Sequence, residues 1–133
     1  MNNRELESRT KHFALRCLEL ADALPKSFSG KTVANQLARF GTSVGANYRA
    51  ANRARSKAEW FAKLCIVIEE CDESVYWLEI VAESGMQPAE KISPLTQEAR
   101  ELLAIFAKSR ATARERIVAK QSSNQQVAKS SSP

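Results

Sequence analysis

The stretch from Gln36 to Glu79 constrains the fold more than any other part of the chain. It contains two segments of helical length in which apolar residues recur at three- and four-residue spacing, and the second segment carries apolar residues on two opposite faces. A bundle helix needs only one apolar face to reach the core. The pattern therefore predicts helices that pack into a bundle, and a second apolar face that packs against something else.

The rest of the chain has the same helical character. Only four Gly and four Pro occur in 133 residues, and 44% of the residues are hydrophobic, which favours long helices around a single core. We predict helices over 3–24, 31–54 and 57–84 and a fourth that begins at Pro94. Four long helices joined by short connections predict an all-α fold, an antiparallel up-down four-helix bundle.

Local signals place the helix ends. Ser56 with Glu59 predicts a capping box at the start of the third helix, Gly85 is well placed to end it, and Ser93 precedes Pro94 as an N-cap. From Gln121 the chain is polar and low in complexity. We therefore predict a bundle domain over residues 1–120 and a disordered polar tail over 121–133.

Each helix is predicted to present one stripe to the core. The stripes contain Leu6, Phe13, Cys17, Leu20 and Leu24, then Val33, Leu37, Phe40, Val44 and Ala51, then Trp60, Leu64, Val67, Ile68, Cys71, Val75 and Leu78, and finally Leu95, Ala99, Leu102, Phe106, Ala113 and Ile117. Asn47 falls at the edge of the second stripe, which predicts a buried polar residue with its own hydrogen-bond partner. Gly41 and Gly45 are four residues apart and predict a close approach between helices.

The second face of the third helix predicts self-association, because a tryptophan-containing stripe away from the core requires another chain to cover it. Leu15 and Leu18 also fall away from the first helix's core stripe. The predicted oligomer interface comprises Ile66, Glu70, Glu73, Trp77, Ile80, Leu15 and Leu18. Scattered surface apolar residues, which are common, are the alternative.

Charge is divided by segment. Residues 31–63 hold seven basic residues and one acid, whereas residues 64–84 hold six acids and no base. The basic residues predicted to contact a partner are Arg39, Arg49, Arg53, Arg55 and Lys57. They are suited either to carboxylates of a neighbouring subunit, such as Glu70 and Glu73, or to nucleic-acid phosphates, which the net charge of +5 also favours. The alternative for any single charge is that it lies on a solvated helix face.

No constellation for catalysis or metal binding accompanies these features. His12 is the only histidine, whereas a di-iron bundle requires two Glu-x-x-His pairs. The three cysteines, Cys17, Cys65 and Cys71, are expected to be reduced and packed. No apolar run approaches the roughly 20 residues of a membrane span. We expect a cytoplasmic, non-enzymatic protein with no cofactor, no metal, no membrane partner and no small-molecule substrate.

Several motifs together resemble a known family. They are Gln36–Arg39, Thr42–Ala51, Phe61–Leu64, Glu69–Glu73 and Tyr76–Leu78. In this combination, which spans about Leu6 to Ile117, the chain resembles the bacterial 23S rRNA-intervening sequence proteins, also called S23-like proteins. Many members have an acidic residue soon after the asparagine, where this chain has Arg49, Ala50 and Ala51.

The resemblance implies an antiparallel four-helix bundle that assembles into a ring-shaped homopentamer, with no enzymatic activity. It also implies a gene within, or related to genes within, insertions in large-subunit ribosomal RNA. A related accessory protein of diversity-generating retroelements binds a reverse transcriptase and nucleic acid. The leading hypothesis is thus a homo-oligomer that binds RNA or a nucleic-acid-processing protein through its basic surface. The alternative is a structural protein-interaction scaffold whose arginines form intersubunit salt bridges.

Overall fold

The computed structural model describes residues 1–130, so the last three residues of the predicted tail lie outside the described part. Residues 1–130 form four helices and no strand: α1 (Asn3–Ala23), α2 (Phe28–Asn52), α3 (Lys57–Glu83) and α4 (Ala89–Ser130). The all-α prediction is confirmed.

Neighbouring helices run antiparallel around a shared core. Helices adjacent in sequence pack side by side, and α1 also contacts α4. The Tyr48 hydroxyl, late in α2, donates to Asn3 Oδ1 at the start of α1 over 3.1 Å. Arg100, early in α4, pairs with Glu79, late in α3, at 3.4 Å. These contacts place opposite ends of adjacent helices together, as an up-down bundle requires.

Most residues of the predicted stripes form the core, but the prediction is wrong for Ile117, which is 45% exposed, and Phe40, Trp60 and Ala113 are only partly buried. The largest fully buried side chains of the core include Phe13, Leu37, Val44, Leu64, Val67, Leu78, Leu102 and Phe106. The buried Thr10 hydroxyl donates to the Leu6 carbonyl at 2.9 Å, and the Cys71 thiol donates to the Ala99 carbonyl at 3.3 Å. These bonds satisfy two of the polar side-chain atoms that the core contains.

Two glycines allow α1 and α2 to approach closely. A Cβ atom at Gly41 would lie 2.6 Å from both Cβ and Sγ of Cys17, and one at Gly45 would lie 3.2 Å from Oγ1 of Thr10. The predicted close approach is therefore present between these two helices. The same packing buries the Cys17 thiol and raises its pKa to about 12.

Side-chain caps define the first three helix starts. Asn2, Ser27 and Ser56 accept hydrogen bonds from the backbone amides of Glu5, Gly30 and Glu59. At Ser56 only one half of the predicted capping box forms, because the Glu59 carboxylate accepts from the Arg55 amide at 3.2 Å. Gly85 has φ +75°, the left-handed conformation that ends a helix after its C-cap.

Two helices begin earlier than the sequence predicts. Because Ser27 serves as N-cap, α2 begins at Phe28 and includes Gly30. Helix α4 begins at Ala89, so Pro94 lies inside it and not at its first position. Proline is tolerated there because it lies near the helix start, on an exposed surface, and removes only one backbone hydrogen bond.

Helix α4 extends beyond its neighbours. It continues through 121–130, where the sequence predicts a disordered tail, and the side chains from Arg114 to Ala128 are all exposed. Phe61, in the second turn of α3, lies beside Arg114, whose guanidinium carbon is 5.8 Å from the ring centroid. Helix α3 starts at Lys57, so α4 continues beyond the end of α3.

Candidate interaction surfaces

Five exposed basic residues form what we call the α2–α3 basic surface: Arg39, Arg49, Arg53, Arg55 and Lys57. The core stripe of α2, which includes Val33 and Leu37, turns the first three outward on the opposite side of the helix. The other two lie at the connection into α3. All five side chains are therefore accessible from outside the bundle.

None of these five residues forms an ion pair within residues 1–130. The ion pairs found there join Arg9 to Glu98 and Glu101, and Arg100 to Glu79. Arg39 instead places its guanidinium carbon 5.3 Å from the centroid of the Phe40 ring. The α2–α3 basic surface is therefore available to an external anion.

Glu70 lies near this surface and is half-buried. Burial raises its pKa, and the neighbouring charges of Glu69 and Glu73 act in the same direction, while the positive charge of Arg39 opposes them. Arg39 and Glu70 thus influence each other inside one chain, whereas one of the two hypotheses from the sequence pairs them between chains. Glu73 is exposed. An intersubunit contact of either carboxylate stays a prediction.

The second stripe of α3 is only partly turned away from the core. Trp77 and Ile80 pack partly against the core of their own chain, and the Trp77 ring contacts that of Tyr76 edge-to-face, with centroids 5.0 Å apart. Ile66 is half-buried. The bundle itself therefore supplies part of the burial that the sequence pattern predicts from another chain.

Leu15 and Leu18 lie on the outside of α1, as predicted. Their side chains are 58% and 41% exposed. Glu19 and Asp22, also exposed, continue the same face at helical spacing. We call these four residues the α1 ridge. It is an apolar and acidic strip in the half of the bundle nearer the α1–α2 turn.

Asn47 is half-buried, and its side-chain amide donates to the Ser43 carbonyl one turn earlier at 3.0 Å. The predicted hydrogen-bond partner therefore exists within α2. No described contact connects this side chain to another helix.

A groove with a volume of about 890 Å³ lies between α3 and α4. Its apolar lining includes Trp60, Phe61, Ile105, Ala113 and Ile117, and its basic lining comprises Lys57, Lys108, Arg116 and Lys120. We call it the α3–α4 groove. Sequence reasoning missed it because Trp60 and Ile117 were assigned to core stripes. The sequence feature that could have indicated the groove is the continuation of the α4 apolar stripe past Phe106.

A cluster joining α1 to α4 was also missed. The Arg9 guanidinium donates to both carboxylate oxygens of Glu98, at 2.8 and 2.6 Å, and to Glu101 at 2.9 Å. These hydrogen bonds are the main reason that the pKa of Glu98 is lowered, and they raise the pKa of Arg9. No local pattern predicts a pair whose members are this distant in sequence.

Within residues 1–130 no group of three or more His, Cys, Asp or Glu side chains is placed to hold a metal ion. None of the helices in that part of the chain has the length and apolar character needed to cross a membrane.

Comparison with known proteins decides the family. Residues 3–108 match the sequence pattern of the 23S rRNA-intervening sequence proteins. The chain belongs to this family. A crystal structure of a protein of unknown function from the S23 ribosomal protein family of Bacteroides thetaiotaomicron has a similar fold, with TM-score 0.74 and 28% identity over 79% of this chain and 97% of that chain. No curated protein matches the chain significantly.

The family match covers some candidate surfaces of this 23S rRNA-intervening sequence protein completely and one only in part. It includes the α1 ridge and the α2–α3 basic surface, but it ends at residue 108. The α4 residues that complete the α3–α4 groove, from Ser109 to Asn124, lie beyond it. Family membership confirms the resemblance, whereas the use of each surface must be argued from its chemistry.

Proposed function

We propose that this 23S rRNA-intervening sequence protein is a non-enzymatic helical bundle that self-associates and binds RNA through the α2–α3 basic surface. The observation that carries the proposal is the exposure of five basic side chains without an ion-pair partner in residues 1–130. The resemblance described above implies five copies in the assembly.

The chemistry of the surface suits phosphate groups. Four of its five members are arginines, whose planar guanidinium groups donate two parallel hydrogen bonds to phosphate oxygens. Arg49 and Arg53 are one helical turn apart on the same exposed face. Such contacts provide affinity but little base selectivity, so binding is expected to weaken steeply as salt rises.

Self-association is supported by apolar side chains that the single chain leaves exposed. Leu15, Leu18 and Tyr76 have exposed fractions of 58%, 41% and 52%. Assembly would also bring several copies of the basic surface together, and simultaneous contacts raise the overall affinity for a long polyanion above that of one surface.

The scaffold alternative requires these arginines to pair with carboxylates of another subunit. Arg39 already acts on Glu70 of its own chain. Arg49, Arg53 and Arg55 form no ion pair with an acid within residues 1–130. The decision between the two functions therefore depends on these three residues.

The test compares two variants of equal charge. In one, Arg49, Arg53 and Arg55 are changed to Ser; in the control, the exposed Lys26, Lys31 and Lys91 are changed to Ser. Affinity for a ribosomal RNA fragment and for duplex DNA is measured at several salt concentrations, with the mass of the assembly measured in parallel. We expect the first variant to lose roughly tenfold or more in RNA affinity, with a salt slope shallower by about 0.7 per lost phosphate contact.

The control should retain most of its affinity, since its lysines lie outside the proposed surface. Equal losses of RNA affinity in both variants would mean that RNA binding depends only on net charge. If RNA does not bind at physiological salt and the arginine variant dissociates the assembly, the scaffold function replaces the proposed one.

A further inference from the structure

The α3–α4 groove presents an apolar surface bordered by positive charge. Trp60 and Phe61 lie on its α3 side and Ile105, Ala113 and Ile117 on its α4 side. Its four basic lining residues, Lys57, Lys108, Arg116 and Lys120, are all exposed, and none forms an ion pair within the described chain. A complementary surface needs apolar side chains flanked by carboxylates.

The groove also lies where α4 is least supported by its own chain. Ile117 and Val118 are 45% and 56% exposed, although Ile117 continues the stripe that buries Leu102 and Phe106. A helical segment without tertiary contacts is marginal in water. An occupant that covers Ile117 would extend the packing of α4 beyond the end of α3 and stabilise that segment.

The α1 ridge has the required composition. Leu15 and Leu18 supply exposed apolar side chains, and Glu19 and Asp22 supply carboxylates on the same face of α1. Of the basic residues nearby, Arg16 is half-buried and its charge acts on Glu98 of α4, whereas the exposed Lys11 and Lys26 lie beyond the two ends of the ridge, four residues before Leu15 and four after Asp22. The ridge is the acidic and apolar counterpart of the groove.

We propose that the α1 ridge of one copy docks in the α3–α4 groove of the next copy. This contact rests on the self-association proposed above and specifies its two surfaces. Ridge and groove lie on different helices and toward opposite ends of the bundle, so one chain cannot fill its own groove. The contact is therefore heterologous, and repetition of it closes a ring or extends a filament.

Single-stranded RNA is the competing occupant, because bases stack on aromatic rings and phosphates bind cations. The guanidinium of Arg114 already lies 5.8 Å from the centroid of the Phe61 ring. The two aromatic rings lie on the α3 side, whereas the α4 side, formed by Ile105, Ala113 and Ile117, is aliphatic and offers no ring for stacking. The groove therefore suits leucine side chains better than bases.

The experiment is a charge exchange followed by sedimentation velocity. One variant carries Glu19→Arg and Asp22→Arg in the ridge, a second carries Arg116→Glu and Lys120→Glu in the groove, and a third carries all four changes. All four positions are exposed, and circular dichroism verifies that each variant is folded. A control carries Glu69→Arg and Asp72→Arg, two exposed acids of α3 outside both surfaces.

We expect the wild type and the control to form the same assembly. Each two-residue variant should fall to the mass of a single chain, 14.8 kDa, because like charges then meet across the contact. The four-residue variant should recover the assembly, since the exchanged charges again attract. Recovery is specific to a direct contact between the two surfaces.

The failures are distinguishable. A monomeric wild type overturns both self-association and the docking contact. Only the docking contact is overturned if the assembly persists in both two-residue variants. The same holds if both variants disrupt the assembly and the four-residue variant does not restore it. Loss of RNA affinity in the groove variant with the assembly intact overturns the contact and assigns the groove to RNA.

Discussion

The two parts of α4 carry the same kind of sequence but have different environments. Between Ile92 and Phe106 the apolar stripe is buried among the other helices, and every stripe residue there is at most 6% exposed. At Ile117 the stripe is still in register, yet that side chain is 45% exposed. Periodicity therefore shows which face of a helix is apolar, while the length of the neighbouring helices decides whether that face becomes core or surface.

The largest expected effect is the difference in unfolding free energy between Phe106→Ala and Ile117→Ala. Phe106 is buried, and the centroid of its ring lies 5.0 Å from that of the Tyr48 ring, so truncation should cost about 3–5 kcal/mol of unfolding free energy. Ile117→Ala should cost less than about 0.5 kcal/mol in the dissociated chain. Chemical denaturation at low protein concentration measures both. Equal costs would mean that the distal part of α4 packs on the bundle and would remove the contrast.

A smaller effect is expected from the cluster that holds the packed part of α4 against α1. Arg9→Leu removes three charge-assisted hydrogen bonds to Glu98 and Glu101 and should cost about 1 kcal/mol of stability. Arg100→Leu is the matched control, because its pair with Glu79 is more exposed and should contribute little. An Arg100 effect as large as that of Arg9 would contradict this assignment.

The same cluster predicts a pH dependence. The pKa of Glu98 is lowered in the folded state, chiefly by the hydrogen bonds from Arg9. Its contribution to stability is present above the ordinary carboxyl pKa of 4.5 and is lost as the pH falls through the lower folded-state value. The stability difference between wild type and Arg9→Leu should therefore be constant near neutrality and shrink below pH 4.5 in pH-dependent denaturation. A difference that persists in acid would mean that Arg9 stabilises by packing alone.

The smallest effect on stability is expected from truncation after Lys120. Side chains 121–128 are exposed, so their removal should change the unfolding free energy by less than about 0.5 kcal/mol. The total helical ellipticity should nevertheless fall, because segment 121–130 is helical. An unchanged ellipticity would favour the disordered tail that the sequence predicts. A large loss of stability would show that this segment packs on its own chain.

The core could be predicted from sequence because burial in a helix follows a fixed period. Leu37, Leu64 and Leu102 are fully buried where their stripes place them. Helix ends were harder, since local turn signals compete with packing. Gly30 resembles a turn residue, but it lies within α2, and a Cβ there would overlap the Pro25 carbonyl oxygen.

The candidate surfaces were only partly predictable. Exposure of Arg49 and Leu15 follows from their position opposite a core stripe. The Arg9–Glu98 pair and the α3–α4 groove depend on helix register and on where α3 begins relative to α4, and a helical wheel contains neither quantity. Trp77 illustrates the limit, because a residue outside the stripe is still partly buried at the flank of the helix.

The contact between Gly41 and Cys17 has a consequence for how related sequences can diverge. A single methyl group added at position 41 would meet the cysteine side chain at 2.6 Å, so the two positions share one fixed volume. Substitutions there are energetically coupled. During evolution, alanine at position 41 should become acceptable mainly in sequences that have already reduced position 17 to a smaller residue, so the two sites should mutate in a preferred order.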